Sequence, residues 1–121
     1  MPVMSNERYL AGVLERILEA AREAFFDEFG HESNCPSKVL FRYGPEGIPK
    51  GKVAWWEPAT AWEPEEIRLD PAFREPEAAL VHEVIHVVLN SPCSGEADTE
   101  HHGDKFHALA DRLGLPRELR H

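Results

Sequence analysis

The stretch Ala79-Leu80-Val81-His82-Glu83-Val84-Ile85-His86-Val87-Val88-Leu89-Asn90 decides how the rest of the chain is read. His82 and His86 are four positions apart, so on an α-helix of 3.6 residues per turn both imidazoles leave one face about a turn apart. At about 100° per residue, Glu75, Ala79, His82, Glu83, His86 and Asn90 fall within roughly a quarter of the helical wheel, and Leu80, Val81, Val84, Ile85, Val87 and Val88 take the opposite side. This predicts a buried helix with one polar stripe facing a cleft. A shuffled chain of the same composition would produce His-Glu-x-x-His roughly once in twenty tries, so the motif gains its weight from where it lies. On a buried helix, two histidines and a glutamate cost desolvation energy unless something engages them.

Two histidines at this spacing suit two ligands of one zinc ion. A catalytic zinc takes three protein ligands and leaves the fourth position to water, whose pKa it lowers to about 7. Glu83, about 100° round the helix from His82, is placed to act as general base rather than as a ligand. The third ligand must come from elsewhere. Pro92 excludes the later histidine of the metzincin pattern and the compact three-histidine spacing of the small metal-dependent endoribonucleases. The downstream candidates are Glu96, Asp98, Glu100, His101 and His102.

The 121 residues suit a single domain, 1–121, and 42% apolar with 29% charged residues is ordinary for a soluble globular chain. The start, Met1-Pro-Val-Met-Ser-Asn-Glu-Arg, lacks the basic and apolar regions of a signal peptide, and no apolar run reaches membrane-spanning length. A cytoplasmic protein with no membrane association is expected. Cys35 and Cys93 are too few for a disulfide framework and read as free thiols. A net charge of -9 opposes unaided binding to a phosphate backbone. Lys38, Arg42, Lys50 and Lys52, with only Glu46 among them, make a local basic segment that reads as solvated strand edges.

The expected fold is α+β. Apolar residues at Leu10, Val13, Leu14, Ile17, Leu18, Ala21, Phe25 and Phe29 predict one long helix from Asn6 to Phe29, with Gly30 as its stop. Lys38–Tyr43, Lys52–Glu57 and Glu66–Asp70 read as three short strands of a mostly antiparallel sheet. The motif helix begins at Pro76 and ends before Ser91-Pro92, and Cys93 to His101 reads as a loop. A last helix, Gly103 to Leu113, shows Phe106, Leu109, Ala110 and Leu113 on one face and ends at Gly114. Trp55, Trp56 and Trp62 read as core and cleft wall, His107 as half-buried, and His31 and His121 as exposed.

Four segments together resemble the SprT-like zinc metallopeptidases, the family that includes the Spartan proteases acting on DNA-protein crosslinks. They are Gly51-Lys-Val-Ala-Trp-Trp56, Ile67-Arg-Leu69, His82-Glu83-Val-Ile-His86 and His102-Gly103-Asp-Lys-Phe106. The resemblance covers roughly Ser37 to Leu113, and His-Gly-x-x-Phe opening the last helix is its more specific part. It implies a zincin-like core, one Zn2+ held by His82, His86 and His102, Glu83 as general base, and a protein or peptide substrate. It also implies DNA association, which the net charge does not support. Gly103 allows close backbone approach after His102, and Phe106 anchors the helix that holds it.

The expectation is therefore a zinc-dependent metallopeptidase core. Two rivals stand beside it: a non-catalytic zinc-bound interaction module, and a zinc amidase acting on a non-protein substrate. Glu83 separates the first rival from the enzymes, because a structural site closed by four protein ligands needs no general base.

Overall fold

In the computed structural model, which describes residues 6–33, 39–57, 64–90, 94–96 and 102–120, the elements run α1 (Asn6–Phe29), β1 (Val39–Tyr43), β2 (Ala54–Glu57), β3 (Glu65–Leu69), α2 (Pro76–Asn90) and α3 (Asp104–Leu113), followed by a 3-10 turn, Arg117–Leu119. The architecture is α+β. The helix that carries His82 and His86 is the one the others pack around: α1, α3, β2, β3 and the 3-10 turn all contact α2. Its residues Ala79, Leu80 and His82 to Leu89 are buried. Each fully buried Leu, Ile or Val contributes roughly 1.5–3 kcal/mol relative to exposure, so this helix is fixed from several sides at once.

The long helix α1 has the bounds its apolar stripe predicts and buries Leu10, Val13, Leu14, Leu18, Ala21, Ala24 and Phe25. Gly30 closes it with φ 76° and donates its N–H to Phe26 O at 2.8 Å, a conformation that costs glycine little. The Tyr9 hydroxyl donates to Glu77 Oε1 at 2.7 Å and joins the start of α1 to the first turn of α2. At the other end of α2, Ser33 Oγ donates to Val88 O at 3.0 Å and Ser94 Oγ to Leu89 O at 2.5 Å. Carbonyls in the last turn of a helix have no intrahelical partner, and these two serines supply partners inside the protein.

The sheet corrects the expected topology. Its order is β1-β3-β2, with β1 parallel and β2 antiparallel to β3, so it is mixed rather than mostly antiparallel. The chain between β1 and β2 does not close a hairpin. It crosses two strand spacings, about 10 Å, and leaves a gap that β3 fills. Gly44 N–H bonds Leu69 O at 3.0 Å and Asp70 N–H bonds Val53 O at 2.8 Å, so the end of β3 is held from both neighbours.

Alternation along β3 is strict: Glu65, Ile67 and Leu69 are buried, while Glu66 and Arg68 are not. On the outer face Arg68 pairs with Glu66 at 2.6 Å and Arg42 pairs with Glu66 at 3.1 Å. Arg42, one of the basic residues of the sequence segment, is thus matched by a carboxylate, as a solvated sheet face requires; Lys38 lies outside the described residues. Among the described residues no helix is long and apolar enough to cross a membrane.

Candidate metal centre

Three imidazoles meet where α2 faces the start of α3. His86 Nε2 lies 3.3 Å from His82 Nε2 and 3.2 Å from His102 Nε2. His82 and His86 are buried, at 8% and 5% exposure, and His102 is half-buried. His82 and His86 owe their positions to the i, i+4 geometry of α2. His102 stands immediately before Gly103, the buried N-cap of α3, whose carbonyl accepts the first helical bond from His107 N–H at 3.1 Å. The ring of Phe106, itself fully buried, underlies all three imidazoles, with centroids 5.1 Å from His82, 4.9 Å from His86 and 4.6 Å from His102. Phe106 therefore fixes the start of α3 and supports the ligand rings with one side chain.

The outer ring nitrogens determine which tautomers are present. His82 Nδ1–H donates to the Leu119 carbonyl at 2.8 Å, and His86 Nδ1–H donates to Asn90 Oδ1 at 3.2 Å. A neutral imidazole protonated at Nδ1 carries its lone pair on Nε2. The two Nε2 lone pairs thus face inward, 3.3 Å apart, an arrangement that a shared cation stabilises. Neighbouring nitrogens of a tetrahedral site with arms of about 2.0–2.1 Å are about 3.3 Å apart, and the two spacings here match that edge. The three rings are close enough to bind one metal ion, and His82 and His86 are each oriented by a hydrogen bond at the second ring nitrogen, as metal-bound histidines are.

Glu83 is a further polar residue of this helix face and is only 7% exposed. It does not belong to the group of converging ligand atoms, which comprises His82, His86 and His102. Burial pushes its carboxyl up from an ordinary 4.5 to about 7, against the weaker opposing pull of the Lys52 ammonium. A cation beside it favours the ionised form. Trp56 lies parallel to His86, interplanar angle 6° and centroids 6.2 Å apart, and its indole N–H donates to the buried Glu65 Oε1 at 2.8 Å.

The other sequence candidates divide clearly. Glu96 is engaged elsewhere: His31 Nε2 lies 2.9 Å from its Oε1 and the Lys105 ammonium 2.9 Å from its Oε2. Both partners hold its carboxyl below the usual range, the His31 hydrogen bond most strongly. Asp98, Glu100, His101 and Cys93 lie outside the described residues, as do Cys35, Trp62 and His121. His107 is exposed rather than half-buried, since it follows Phe106 on the solvent side of α3. Sequence reading gave no role to Asn90 or to Leu119. Asn90, four residues after His86 on the polar stripe, carried a usable signal; Leu119 acts through its main chain and carried none. No known family model, curated protein or solved structure matches the chain.

Two outcomes are expected. First, His102→Ala loses zinc affinity by orders of magnitude while His101→Ala stays near wild type in a chelator-competition titration; the reverse order would overturn the ligand set. Second, in the metal-free protein the folded chain keeps the Glu83 proton between about pH 4.5 and 7, where the unfolded chain has lost it, so stability falls as pH rises through that window and levels off above it. The effect amounts to at most about 3 kcal/mol. Glu83→Gln should flatten this slope and be the more stable of the two at about pH 8, and identical pH dependence of the urea midpoints of both proteins would contradict it.

Proposed function

We propose that the protein is a zinc-dependent metallopeptidase of the minimal SprT-like kind, with zinc held by His82, His86 and His102 and with Glu83 as general base. The observation that carries this reading is the convergence of three histidine Nε2 atoms beside a buried carboxyl that does not join them. Three neutral imidazoles leave the full charge of a divalent ion available, and zinc in such a site supplies Lewis acidity. Glu83 accepts a proton from the attacking water on a carboxylate oxygen. Water oxygen bonds to the scissile carbonyl carbon, the C–N bond breaks, and Glu83 returns the proton to the departing amine. A pKa that burial holds high and a nearby cation draws down keeps this carboxyl able to both accept and release a proton near neutrality.

The edge of the sheet suits an extended substrate. β3 is central and flanked by β1 and β2, so it offers no free edge; β2 is an edge strand, and its Trp56 lies against His86. A peptide adding to β2 through main-chain hydrogen bonds would pass the histidine cluster, and it would be selected by its extended conformation more than by sequence. Against a purely structural metal site stands Glu83, which such a site does not need, and the donor group among the described residues contains three ligands rather than four. DNA has no place in this reading of the residues, since the net charge of -9 opposes a polyanion.

Purified protein is expected to contain about one zinc per chain and to cleave unfolded polypeptides, with or without added DNA. Glu83→Gln should keep the metal and lose turnover by at least about 100-fold, the scale of a general acid–base contribution. Wild-type-like hydrolysis by this variant would remove Glu83 from the mechanism. The β2 arrangement makes a separate forecast: the same polypeptide should resist cleavage when folded and be cut when unfolded, and equal rates for both states would refute it.

A further inference from the structure

The acceptor that orients His82 belongs to a turn with little reason of its own to be there. Residues Arg117–Leu119 bury no side chain completely, and Leu119 is only partly covered where it meets the core. What fastens the turn is the next residue. Arg120 is 6% exposed, and its guanidinium folds back onto the end of α3. Its Nε donates to Leu115 O at 2.9 Å, and Nη2 donates to Leu115 O at 2.6 Å and to Asp111 Oδ1 at 2.8 Å. Nη1 lies 3.2 Å from His107 Nδ1. Leu115 itself is buried and takes its N–H bond from the α3 stop, donating to Ala110 O at 2.9 Å past Gly114 with φ 72°.

Burying a guanidinium is costly unless its donors are met, and here the fork is directed at one carbonyl and one carboxylate on a single helix end. The main chain is pinned at the same place by Arg120 N–H to Arg117 O at 3.2 Å and Leu119 N–H to Pro116 O at 3.0 Å. Between the two anchored positions, 115 and 120, the main-chain carbonyl of Leu119 reaches α2 and takes the His82 Nδ1 proton at 2.8 Å.

We propose that Arg120 is a positioning residue of the metal centre: by clamping the segment after α3 onto that helix, it holds the Leu119 carbonyl against His82 and so fixes the tautomer whose Nε2 faces the other two histidines. The inference rests on the metal-binding reading of His82, His86 and His102. It assigns to a buried cation, distant in sequence from the motif, control over ligand basicity and orientation. Partners of this second rank typically change metal affinity by about 10- to 100-fold when removed.

The test uses the full chain and zinc alone as probe. Arg120→Ala should bind zinc about 10- to 100-fold more weakly than wild type, and Arg120→Lys, which keeps the charge but not the fork, should recover only a minor part. Arg117→Ala, an exposed position on the same turn, should bind like wild type. Long-range 15N–1H NMR of the metal-free proteins should show His82 as the Nδ1–H tautomer in wild type and as a mixture in Arg120→Ala, with His86 unchanged in both. If Arg120→Ala fails to fold, Asp111→Asn, which weakens the clamp from its exposed side, should show the same tautomer mixing with a few-fold loss of affinity. Zinc affinity at the wild-type level in the clamp variants, or weakened affinity with an unaltered His82 tautomer, overturns the proposal and leaves the metal centre standing. A wild-type protein that binds no zinc overturns both.

Discussion

Two imidazole lone pairs facing each other at 3.3 Å repel, and the fold spends much of its rigidity on keeping them there. A solitary histidine on a helix can turn its ring away from a neighbour. His82 and His86 cannot, because each is hydrogen-bonded at its outer nitrogen, and both rest on the buried ring of Phe106. The burial of α2 from several directions makes this possible. A helix with one solvated side would let water satisfy both rings separately, and a shared cation would have less advantage there.

Two buried glutamates flank this cluster and are handled differently. Glu65 is almost fully buried on the inward face of β3 and accepts the Trp56 indole N–H, which sets the plane of the ring that lies against His86. Glu83 has its proton affinity raised by burial, with the Lys52 ammonium acting in opposition. One carboxylate is therefore placed to hold a wall still, and the other is left chemically poised. The mixed sheet sets this pairing: β3, its central strand, presents Glu65 inward next to β2, which carries Trp56 at the sheet edge.

Both helices with strong apolar stripes, α1 and α2, were legible in sequence, since a 3.6-residue period is set by local geometry and a buried face leaves a plain trace. The place of His102 near His82 and His86 was expected from the resemblance carried by His102-Gly103-Asp-Lys-Phe106, in which Gly103 marks a close approach and Phe106 an anchor. Strand pairing was not. Alternation says which side chains share a face and is silent on which strand lies next, so the parallel β1–β3 pair had no signature in residues 39–69. The carbonyl of Leu119 had none either, because every residue has one; only the three-dimensional path of the chain brings it to His82. Glu96 shows the converse error of sequence proximity: a carboxylate near the histidine cluster in the chain is taken by His31 and Lys105.

Time enters through the separation of His82 from its acceptor, which is 37 positions. A chain made from its N-terminus delivers α1 and the sheet first, then the two rings on α2, then His102, and the orienting carbonyl last. During that interval His82 is free to sample either tautomer, and an ion captured early would meet a looser set of nitrogens. On the proposed reading, closure of the Arg120 clamp follows the making of all three histidines, so a bound ion would meet the fully oriented nitrogens only once the segment after α3 has folded back.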